Sequence, residues 1–335
     1  MQLAARAVHK RRKKGLVNLQ EKKDRLQEIL RSYGKVAIAY SSGVDSTFLL
    51  KVAHDTLGDN AIAITVKSHL VPAAEMDEAE AFCKRENIRH QFILHDEMSV
   101  PGFAENPPNR CYICKRQIFS AVIETARKMF GAGLSSENEN SAKSYAELKN
   151  QSVNFVVCEG SNKDDEGDYR PGMKAIAELS VKSPLREAGL SKSEIRELSR
   201  ELNLPTASKP SFACLASRIP YGQIITRQKL QLVETAEKFL QDLGFVQYRV
   251  RCRELAIQTG FAQSSTQQNS AQSSPTTALT ASIEILPEQF DLFKINQELI
   301  IQTLKGLGFA EVHLDKKGYR TGSLNEALGI KHPVP

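Results

Sequence analysis

The sequence lacks any run of apolar residues that approaches the roughly 20 a helix needs to cross a bilayer. Its first residues, MQLAARAVHKRRKK, also lack the apolar core of a secretory signal. Six cysteines in 335 residues are too few and too scattered for a disulfide-stapled scaffold. We therefore expect a cytoplasmic globular protein that has no membrane partner and whose cysteines are reduced thiols.

The sequence lacks an excess of positive charge outside its N-terminus. Of 45 basic and 39 acidic residues, six basic ones fall within the first 14 positions, which hold no acid, so the rest of the chain is charge-balanced. Nucleic-acid-binding faces need Lys and Arg spread over a folded surface. The distribution therefore argues against a nucleic-acid partner, and residues 1–15 are predicted to form a basic, disordered tail.

The length predicts two domains, at roughly 150 residues per domain. In residues 16–205, apolar runs typical of buried strands alternate with helical periodicity, which predicts an α/β domain with a doubly wound parallel sheet. The expected strands are 35–40, 61–66, 91–94 and 153–157, and the expected helices are 16–31, 73–85, 115–130 and 191–202, with another that closes at Gly58. Residues 131–150, rich in Ser, Glu, Asn and Lys, are predicted to be a surface insertion.

Residues 206–335 follow a different order of helices and strands, which predicts a smaller C-terminal α+β domain. Within it, residues 262–280 carry no charged side chain and consist mainly of Ser, Thr and Gln. Such a segment cannot bury enough apolar area to offset its ordering entropy. We expect it to be a disordered insertion without a catalytic role.

The segment Ser41–Ser46 lies where the first strand passes into a helix, whose N-terminal amides and positive dipole end form an anion site. Small residues let the backbone approach phosphate oxygens, Ser41 and Ser46 add hydroxyl donors, and Asp45 can orient the loop or meet Mg²⁺. The chain contains neither G-x-x-x-x-G-K-[ST] nor G-x-G-x-x-G, which argues against a Walker ATPase and a dinucleotide-binding fold.

Cys111 and Cys114 form a C-x-x-C pair that can reach one metal centre, and Cys214 can supply a third thiolate. Three thiolates would leave one iron of a 4Fe-4S cluster with an open, thiophilic position that could hold sulfide. A structural zinc, which would usually want a fourth ligand, and ordinary buried cysteines are the alternatives. The other cysteines, Cys83, Cys158 and Cys252, are expected in the core.

The loop resembles the S-G-G-x-D-S signature of the PP-loop (N-type) ATP pyrophosphatases, which adenylate a substrate and release pyrophosphate. Ser42 stands where that signature has its first glycine. Over about residues 26–325 the chain also resembles the LarE family, the ATP-dependent sulfurtransferases of nickel-pincer nucleotide biosynthesis. The segments that carry this resemblance are RCYICK (110–115), EGSN (159–162), DD (164–165), DYRPG (168–172), SPL (183–185), SRIPYG (217–222) and GYRTGSLN (318–325).

The LarE resemblance implies an adenine nucleotide alpha hydrolase-like PP-loop domain that adenylates a carboxylate of pyridinium-3,5-biscarboxylic acid mononucleotide and converts it to a thiocarboxylate. The product would serve the cofactor of lactate racemase. LarE proteins either sacrifice a cysteine sulfur or use three cysteines that bind a 4Fe-4S cluster, and this chain has Ala213 where the sacrificed cysteine lies. The implied cofactors are ATP, Mg²⁺ and a 4Fe-4S cluster.

Individual roles follow from position and from the resemblance. Arg249 and Arg251 alternate along one predicted strand, so both face one side and can clamp a substrate phosphate, although a solvated strand face is the default without the resemblance. The predicted ATP-binding residues are Ser41, Ser42, Gly43, Val44, Asp45, Ser46, Gly160 and Asn162. The predicted catalytic residues are Asp45, Cys214 and Glu237, the metal ligands are Cys111, Cys114 and Cys214, and the substrate-binding residues are Arg170, Arg218, Arg249, Arg251 and Glu284.

Two alternatives stay open. A tRNA thiolase also joins a PP-loop to a three-cysteine cluster, but it would need a basic tRNA-binding surface. A non-catalytic nucleotide-binding protein with a zinc staple would contain zinc and would not turn over ATP. For the LarE type, the expected partners are a small-molecule nucleotide substrate, a sulfide donor and further copies of the chain in a homo-oligomer.

Overall fold

The computed structural model describes residues 2–131, 154–166, 171–210, 212–256, 277–320 and 322–329. The chain divides into two compact units, and unit 1 comprises residues 1–100 and 109–212, while unit 2 comprises residues 101–108 and 213–335. The sequence-based boundary after residue 205 precedes this division. Within the described residues, no helix is long and apolar enough to cross a membrane.

Unit 1 is built on a parallel sheet. Its described strands are β1 (Val36–Ala39), β2 (Ala61–Lys67), β3 (Arg89–Leu94) and β4 (Val156–Cys158), in the order β3-β2-β1-β4. Its described helices are α1 (Gln2–Tyr33), α2 (Val44–Leu57), α3 (Ala73–Arg85), α4 (Arg110–Gly131), α5 (Gly172–Glu178), α6 (Pro184–Glu187) and α7 (Lys192–Glu201). The predicted parallel α/β sheet is confirmed.

Both faces of this sheet are buried. Ile62 and Ile64 of β2 pack in a cluster with side chains of α4 and α5. Ala61 and Ala63 of the same strand belong to a second cluster with side chains of α1, α2, α3 and α7. Successive side chains of a strand point to opposite faces, so a strand covered by helices on both sides is apolar throughout. This explains why β1 and β2 are continuous apolar runs in the sequence.

The sheet topology brings two loops to one edge. After β1 the chain adds β2 and then β3 on one side, and β4 returns to the other side of β1. Ligands of open α/β sheets bind outside the carboxyl ends of the strands at such a reversal of order. Residues 41–46 follow β1 and residues 159–162 follow β4, so the fold places both loops at that position.

Unit 2 combines helices with a mixed sheet. Its described elements are α8 (Arg227–Asp242), β5 (Tyr248–Ala256), β6 (Thr277–Ile285), α9 (Phe290–Leu307) and β7 (Glu311–Leu314). The sheet order is β5-β6-β7, in which β6 is antiparallel to β5 and parallel to β7. Buried side chains of β5 and β6, such as Val250 and Ile283, form the apolar centre of this unit.

Two segments predicted to be disordered contain regular structure. Helix α1 begins at Gln2, so residues 2–15 of the predicted tail 1–15 are helical. Ala, Leu, Lys and Arg are strong helix formers, and this local preference prevails over the repulsion between like charges. Strand β6 begins at Thr277, so the predicted insertion 262–280 ends too late. Residues 277–280 pair with 253–256 of β5. This pairing provides hydrogen-bond partners for the backbone N–H and C=O groups of a segment that composition alone predicted to be a loop. Residues 262–276 and 132–150 lie outside the described residues.

Candidate active site

The loop between β1 and α2 is closed by its own serine hydroxyls. Ser46 Oγ accepts a hydrogen bond from the Ser41 amide at 3.3 Å, lies 3.1 Å from Ser41 Oγ and donates to the Gly43 carbonyl at 3.2 Å. Helix α2 starts directly after Gly43, whose carbonyl accepts the first helical bond from the Thr47 amide at 2.9 Å. The loop is therefore shaped before any ligand binds, with the N-terminus of α2 at its centre, as an anion site requires.

Ser42 takes a backbone conformation that favours glycine. Its φ is 58° and its side chain is buried. This is the position at which the chain departs from the glycine of the PP-loop signature, and a left-handed residue with a Cβ costs about 1–2 kcal/mol. The Ser42 carbonyl also accepts a hydrogen bond from Lys209 Nζ at 3.2 Å, which helps to hold the loop in this shape.

Substitution of Ser42 by glycine is expected to leave the free energy of unfolding unchanged or to raise it by up to about 1 kcal/mol. Relief of the left-handed strain is offset in part by the greater freedom of glycine in the unfolded chain. Urea denaturation measures the change. Ser41→Gly is the matched control, because it removes the Ser41 Oγ contact without relieving a positive φ, and it should destabilise the protein by about 1 kcal/mol. If Ser42→Gly lowered the free energy of unfolding more than Ser41→Gly, the inference that Ser42 is strained would be wrong.

Asp45, at the first turn of α2, has one ion-paired carboxylate oxygen and one buried carboxylate oxygen. Its Oδ2 accepts from Lys192 Nζ at 2.5 Å, while its buried Oδ1 accepts no hydrogen bond from the described residues. Burial raises the pKa of Asp45, and Lys192 and the nearby Asn162 amide offset this only in part. A carboxylate oxygen without a donor, next to an anion-binding helix terminus, fits Mg²⁺, which prefers hard oxygen ligands and substrate phosphates.

The loop after β4 packs directly against the loop after β1. A Cβ on Gly160 would lie 3.1 Å from the Ser46 amide nitrogen and 3.3 Å from Asp45 Cβ, so only glycine allows this close approach. Asn162 caps a short 3-10 helix, since its Oδ1 accepts from the Asp164 amide and its own amide donates to Asp165, each at 2.9 Å. The structure thus brings Gly160 and Asn162 to the predicted ATP loop, whereas Arg170 lies outside the described residues.

Two lysines lie at this loop that the sequence analysis did not predict as site residues. Lys192 is the first residue of α7, and Lys209 pairs with Glu75 and Glu78 at 2.6 and 2.5 Å in addition to its bond with the Ser42 carbonyl. The Arg196 guanidinium fixes the backbone at Lys209, because it donates to the Ala207 and Lys209 carbonyls at 2.7 Å each. Both lysines are far along the chain from Ser41–Ser46, and a sequence motif covers only neighbouring positions. The motif therefore could not indicate them. The capping box at Ser191 and Glu194, which fixes where α7 starts, was the one local signal.

The cysteines fall into two groups. Cys83, Cys158 and Cys252 are buried, and burial raises the pKa of Cys83 to about 12 and that of Cys252 to about 11, as expected of core thiols. Cys111 and Cys114 lie in the first turn of α4 in unit 1, and the exposed Cys214 lies in unit 2. Among the described residues, no group of three or more His, Cys, Asp or Glu side chains is arranged to hold a metal ion. The three-cysteine ligand set for a 4Fe-4S cluster stays a prediction.

Unit 2 contains two buried arginine–glutamate pairs. Arg218 is 1% exposed and donates to both oxygens of Glu237, at 2.7 and 2.9 Å, and to the Ala213 carbonyl at 2.8 Å. Arg251 donates to both oxygens of Glu284, at 2.9 and 3.1 Å. These contacts position the chain on either side of Cys214 and leave Arg218 no exposed surface for a ligand. The catalytic role of Glu237 and the substrate role of Arg218 stay predictions.

Arg249 adds a third buried guanidinium to this cluster. It donates to Tyr319 Oη at 2.7 Å and stacks on the Tyr319 ring with 4.3 Å between its guanidinium carbon and the ring centroid. Burial, with the like charges of Arg251 and Arg218, lowers the pKa of Arg249 to about 10. Three arginines thus face two glutamates, Glu237 and Glu284. A buried excess of positive charge is an environment that favours a phosphate or carboxylate ligand.

Comparison with known proteins now defines the class. No family model matches the chain. The chain is 28% identical over 215 residues to one component of the glutamine-hydrolyzing GMP synthase of Thermoplasma acidophilum, and the match covers 62% of this chain and 64% of that protein. Together with the parallel sheet and the serine-rich loop after β1, this similarity identifies an ATP-using α/β enzyme with a PP-loop fold.

Two relatives extend over nearly the whole chain. One is an uncharacterized protein of Synechocystis, 36% identical over 312 residues, which cover 92% of this chain and 99% of that protein. The other is the pyridinium-3,5-bisthiocarboxylic acid mononucleotide synthase of Lactiplantibacillus plantarum, 30% identical over 314 residues, which cover 93% of this chain and 97% of that protein. The chain belongs to the LarE family.

Proposed function

We propose that the protein is an ATP-dependent sulfurtransferase that converts a carboxylate of pyridinium-3,5-biscarboxylic acid mononucleotide to a thiocarboxylate for nickel-pincer nucleotide synthesis. The observation that carries the proposal is the loop at Ser41–Ser46, which is preshaped at the switch point of the sheet and has a buried oxygen of Asp45 without a donor among the described residues. The substrate class is supported by similarity to the L. plantarum synthase over 97% of that protein's length.

The first chemical step would be adenylation. A substrate carboxylate oxygen bonds to the α-phosphorus of ATP, the bond from that phosphorus to the β-phosphate oxygen breaks, and pyrophosphate leaves. The amides of α2 and the hydroxyls of Ser41 and Ser46 would hold the leaving pyrophosphate, while Asp45 would hold Mg²⁺, which neutralises phosphate charge. Such positioning and charge neutralisation supply most of the rate in phosphoryl chemistry.

The second step would replace the adenylate oxygen with sulfur. A sulfide-level nucleophile bonds to the activated carbonyl carbon, the bond from that carbon to the AMP oxygen breaks, and AMP leaves. In this proposal the buried Arg249 and Arg251 face the substrate phosphate, because their cluster holds three arginines against two glutamates. A sulfide donor and self-association of the chain belong to the same proposal.

The cysteine pattern supports a cluster of the 4Fe-4S type on Cys111, Cys114 and Cys214. Bound there, the cluster would supply an iron with an open position for sulfide. The support lies in the C-x-x-C turn at the start of α4 and in the exposure of Cys214. Among the described residues no group of three metal ligands is found, so the cluster stays part of the proposal.

The proposal is tested with protein purified anaerobically and supplied with ATP, Mg²⁺, sulfide and the biscarboxylate nucleotide. We expect pyrophosphate and AMP to appear only with the nucleotide acceptor, and mass spectrometry to show exchange of an oxygen for sulfur. Nicotinic acid mononucleotide and bulk tRNA serve as control acceptors. Pyrophosphate release that requires tRNA would overturn the substrate assignment, and zinc without iron in the metal assay would overturn the cluster.

A further inference from the structure

The contact between Asp45 and Lys192 joins the phosphate loop to a distant helix. Lys192 Nζ lies 2.5 Å from Asp45 Oδ2, and the two residues are 147 positions apart in the sequence. Their side chains are 28% and 19% exposed, so the pair lies at the rim of the site rather than inside the core. The other oxygen of Asp45, Oδ1, is buried and has no donor in the part of the chain that the structure describes.

The backbone of Lys192 is anchored independently of its side chain. Its amide donates to Asp164 Oδ2 at 2.8 Å, and Ser191 and Glu194 cap α7 around it. Asp164 belongs to the loop after β4, which packs on the phosphate loop through Gly160. The backbone of Lys192 is therefore held in place, while its charged side chain extends to the first turn of α2.

The partly buried carboxylate of Asp45 has the ammonium group of Lys192 beside it. Burial disfavours its charged form, and the neighbouring carboxylate of Asp165 disfavours it further. When a polyphosphate enters the loop, repulsion of Asp45 increases, so a cation must remain between them. With the nucleotide bound, Mg²⁺ would be the cation next to Asp45. The ammonium group of Lys192 would then be available to pair with a phosphate oxygen.

We propose that Lys192 is the resident counter-cation of Asp45 in the nucleotide-free protein, and that binding of Mg·ATP displaces it from the carboxylate to a phosphate oxygen. The Asp45 carboxylate would then hold Mg²⁺, and the ammonium group of Lys192 keeps its proton throughout. The inference rests on the proposed function only in that the loop binds ATP. It makes Lys192 a competitor of the metal before nucleotide binds and a ligand of the nucleotide afterwards.

This dual role predicts opposite changes in two affinities. In Lys192→Met, Mn²⁺, used as a probe for Mg²⁺, should bind about tenfold more tightly without nucleotide, because no ammonium group competes for Asp45. The same variant should bind Mg·ATP about tenfold to a hundredfold more weakly, because a charge-assisted hydrogen bond to phosphate is lost. Electron paramagnetic resonance of free Mn²⁺ and calorimetry with Mg·ATP measure the two quantities.

The controls separate this role from a purely structural one. Lys192→Arg keeps the charge and should restore both affinities to within about threefold of the wild type. Lys22→Met removes an ion pair of similar exposure with Glu194 of the same helix, at 2.6 Å, and should change neither affinity. Circular dichroism verifies that each variant is folded.

Each outcome decides between defined possibilities. If both affinities of Lys192→Met fall together, or if neither changes, the assignment of Lys192 is overturned. If wild-type protein binds no Mg·ATP, the inference and the proposed function both fail. If the wild type binds Mg·ATP and the opposite changes are found, but no thiocarboxylate forms, the assignment of Lys192 stands and the proposed sulfur transfer fails.

Discussion

Replacement of Arg218 by methionine is expected to lower the free energy of unfolding of unit 2 by about 3–5 kcal/mol. Arg218 is 1% exposed and makes a bidentate pair with Glu237 through bonds of 2.7 and 2.9 Å. Methionine fills much of the volume but leaves the Glu237 carboxylate buried, with the Val250 amide at 2.9 Å as its remaining donor among the described residues. Removal of one partner of a buried ion pair is costly because the other charge stays uncompensated.

Urea denaturation of three variants tests this expectation. Arg218→Met/Glu237→Leu should recover most of the loss, because a buried pair replaced by apolar groups is often neutral. Lys238→Met removes an exposed pair with Asp242 on the same helix, whose side chains are 58% and 59% exposed, and should change stability by less than about 1 kcal/mol. If Arg218→Met is no more destabilising than Lys238→Met, the buried pair does not hold unit 2 together.

The same double variant separates stability from function. Arg218 also donates to the Ala213 carbonyl at 2.8 Å, next to Cys214. A stable but inactive double variant would therefore assign Arg218 and Glu237 to positioning of the cysteine segment. Recovery of sulfur transfer along with stability would exclude both a catalytic role for Glu237 and a substrate role for Arg218.

Local signals in the sequence predicted the elements that frame the phosphate loop. Helix α3 has its predicted bounds, Ala73–Arg85, and α2 ends at Leu57 beside Gly58, whose φ is 56°. The capping box at Ser191 and Glu194 likewise marked the start of α7. These features depend on residues within a few positions of each other, and for that reason propensity and periodicity suffice to find them.

Side-chain partners could not be predicted in this way, because they depend on contacts between distant segments. Strand alternation correctly indicated that Arg249 and Arg251 share a face, but not that Glu284 of the next strand binds Arg251 there. Glu237 was expected at the active site, yet both its oxygens accept from Arg218. Lys192 reaches Asp45 only because the fold places α7 beside α2, which no spacing rule reveals.

Asp45→Asn is expected to reduce pyrophosphate release by at least about a hundredfold while leaving the protein as stable as the wild type or more stable. The amide keeps the shape of the side chain but carries no charge for Mg²⁺, so the electrostatic support of the leaving pyrophosphate is lost. Pyrophosphate assays at saturating ATP measure the first effect. Asp55→Asn on the solvent side of the same helix, paired with Lys51 at 2.7 Å, is the control and should retain activity.

The stability of Asp45→Asn follows from the direction of the pKa shift of Asp45. Burial raises this pKa in the folded protein, so as pH rises from about 3.9 the unfolded chain ionises first and the folded state loses relative stability until the raised pKa is passed. Above the raised pKa the wild type bears this cost in full, and asparagine removes it. In thermal denaturation from pH 4 to 7, the melting temperature of the variant should therefore rise relative to that of the wild type as pH rises. An active variant that is less stable at pH 7 would show that Asp45 supports the fold and not the nucleotide.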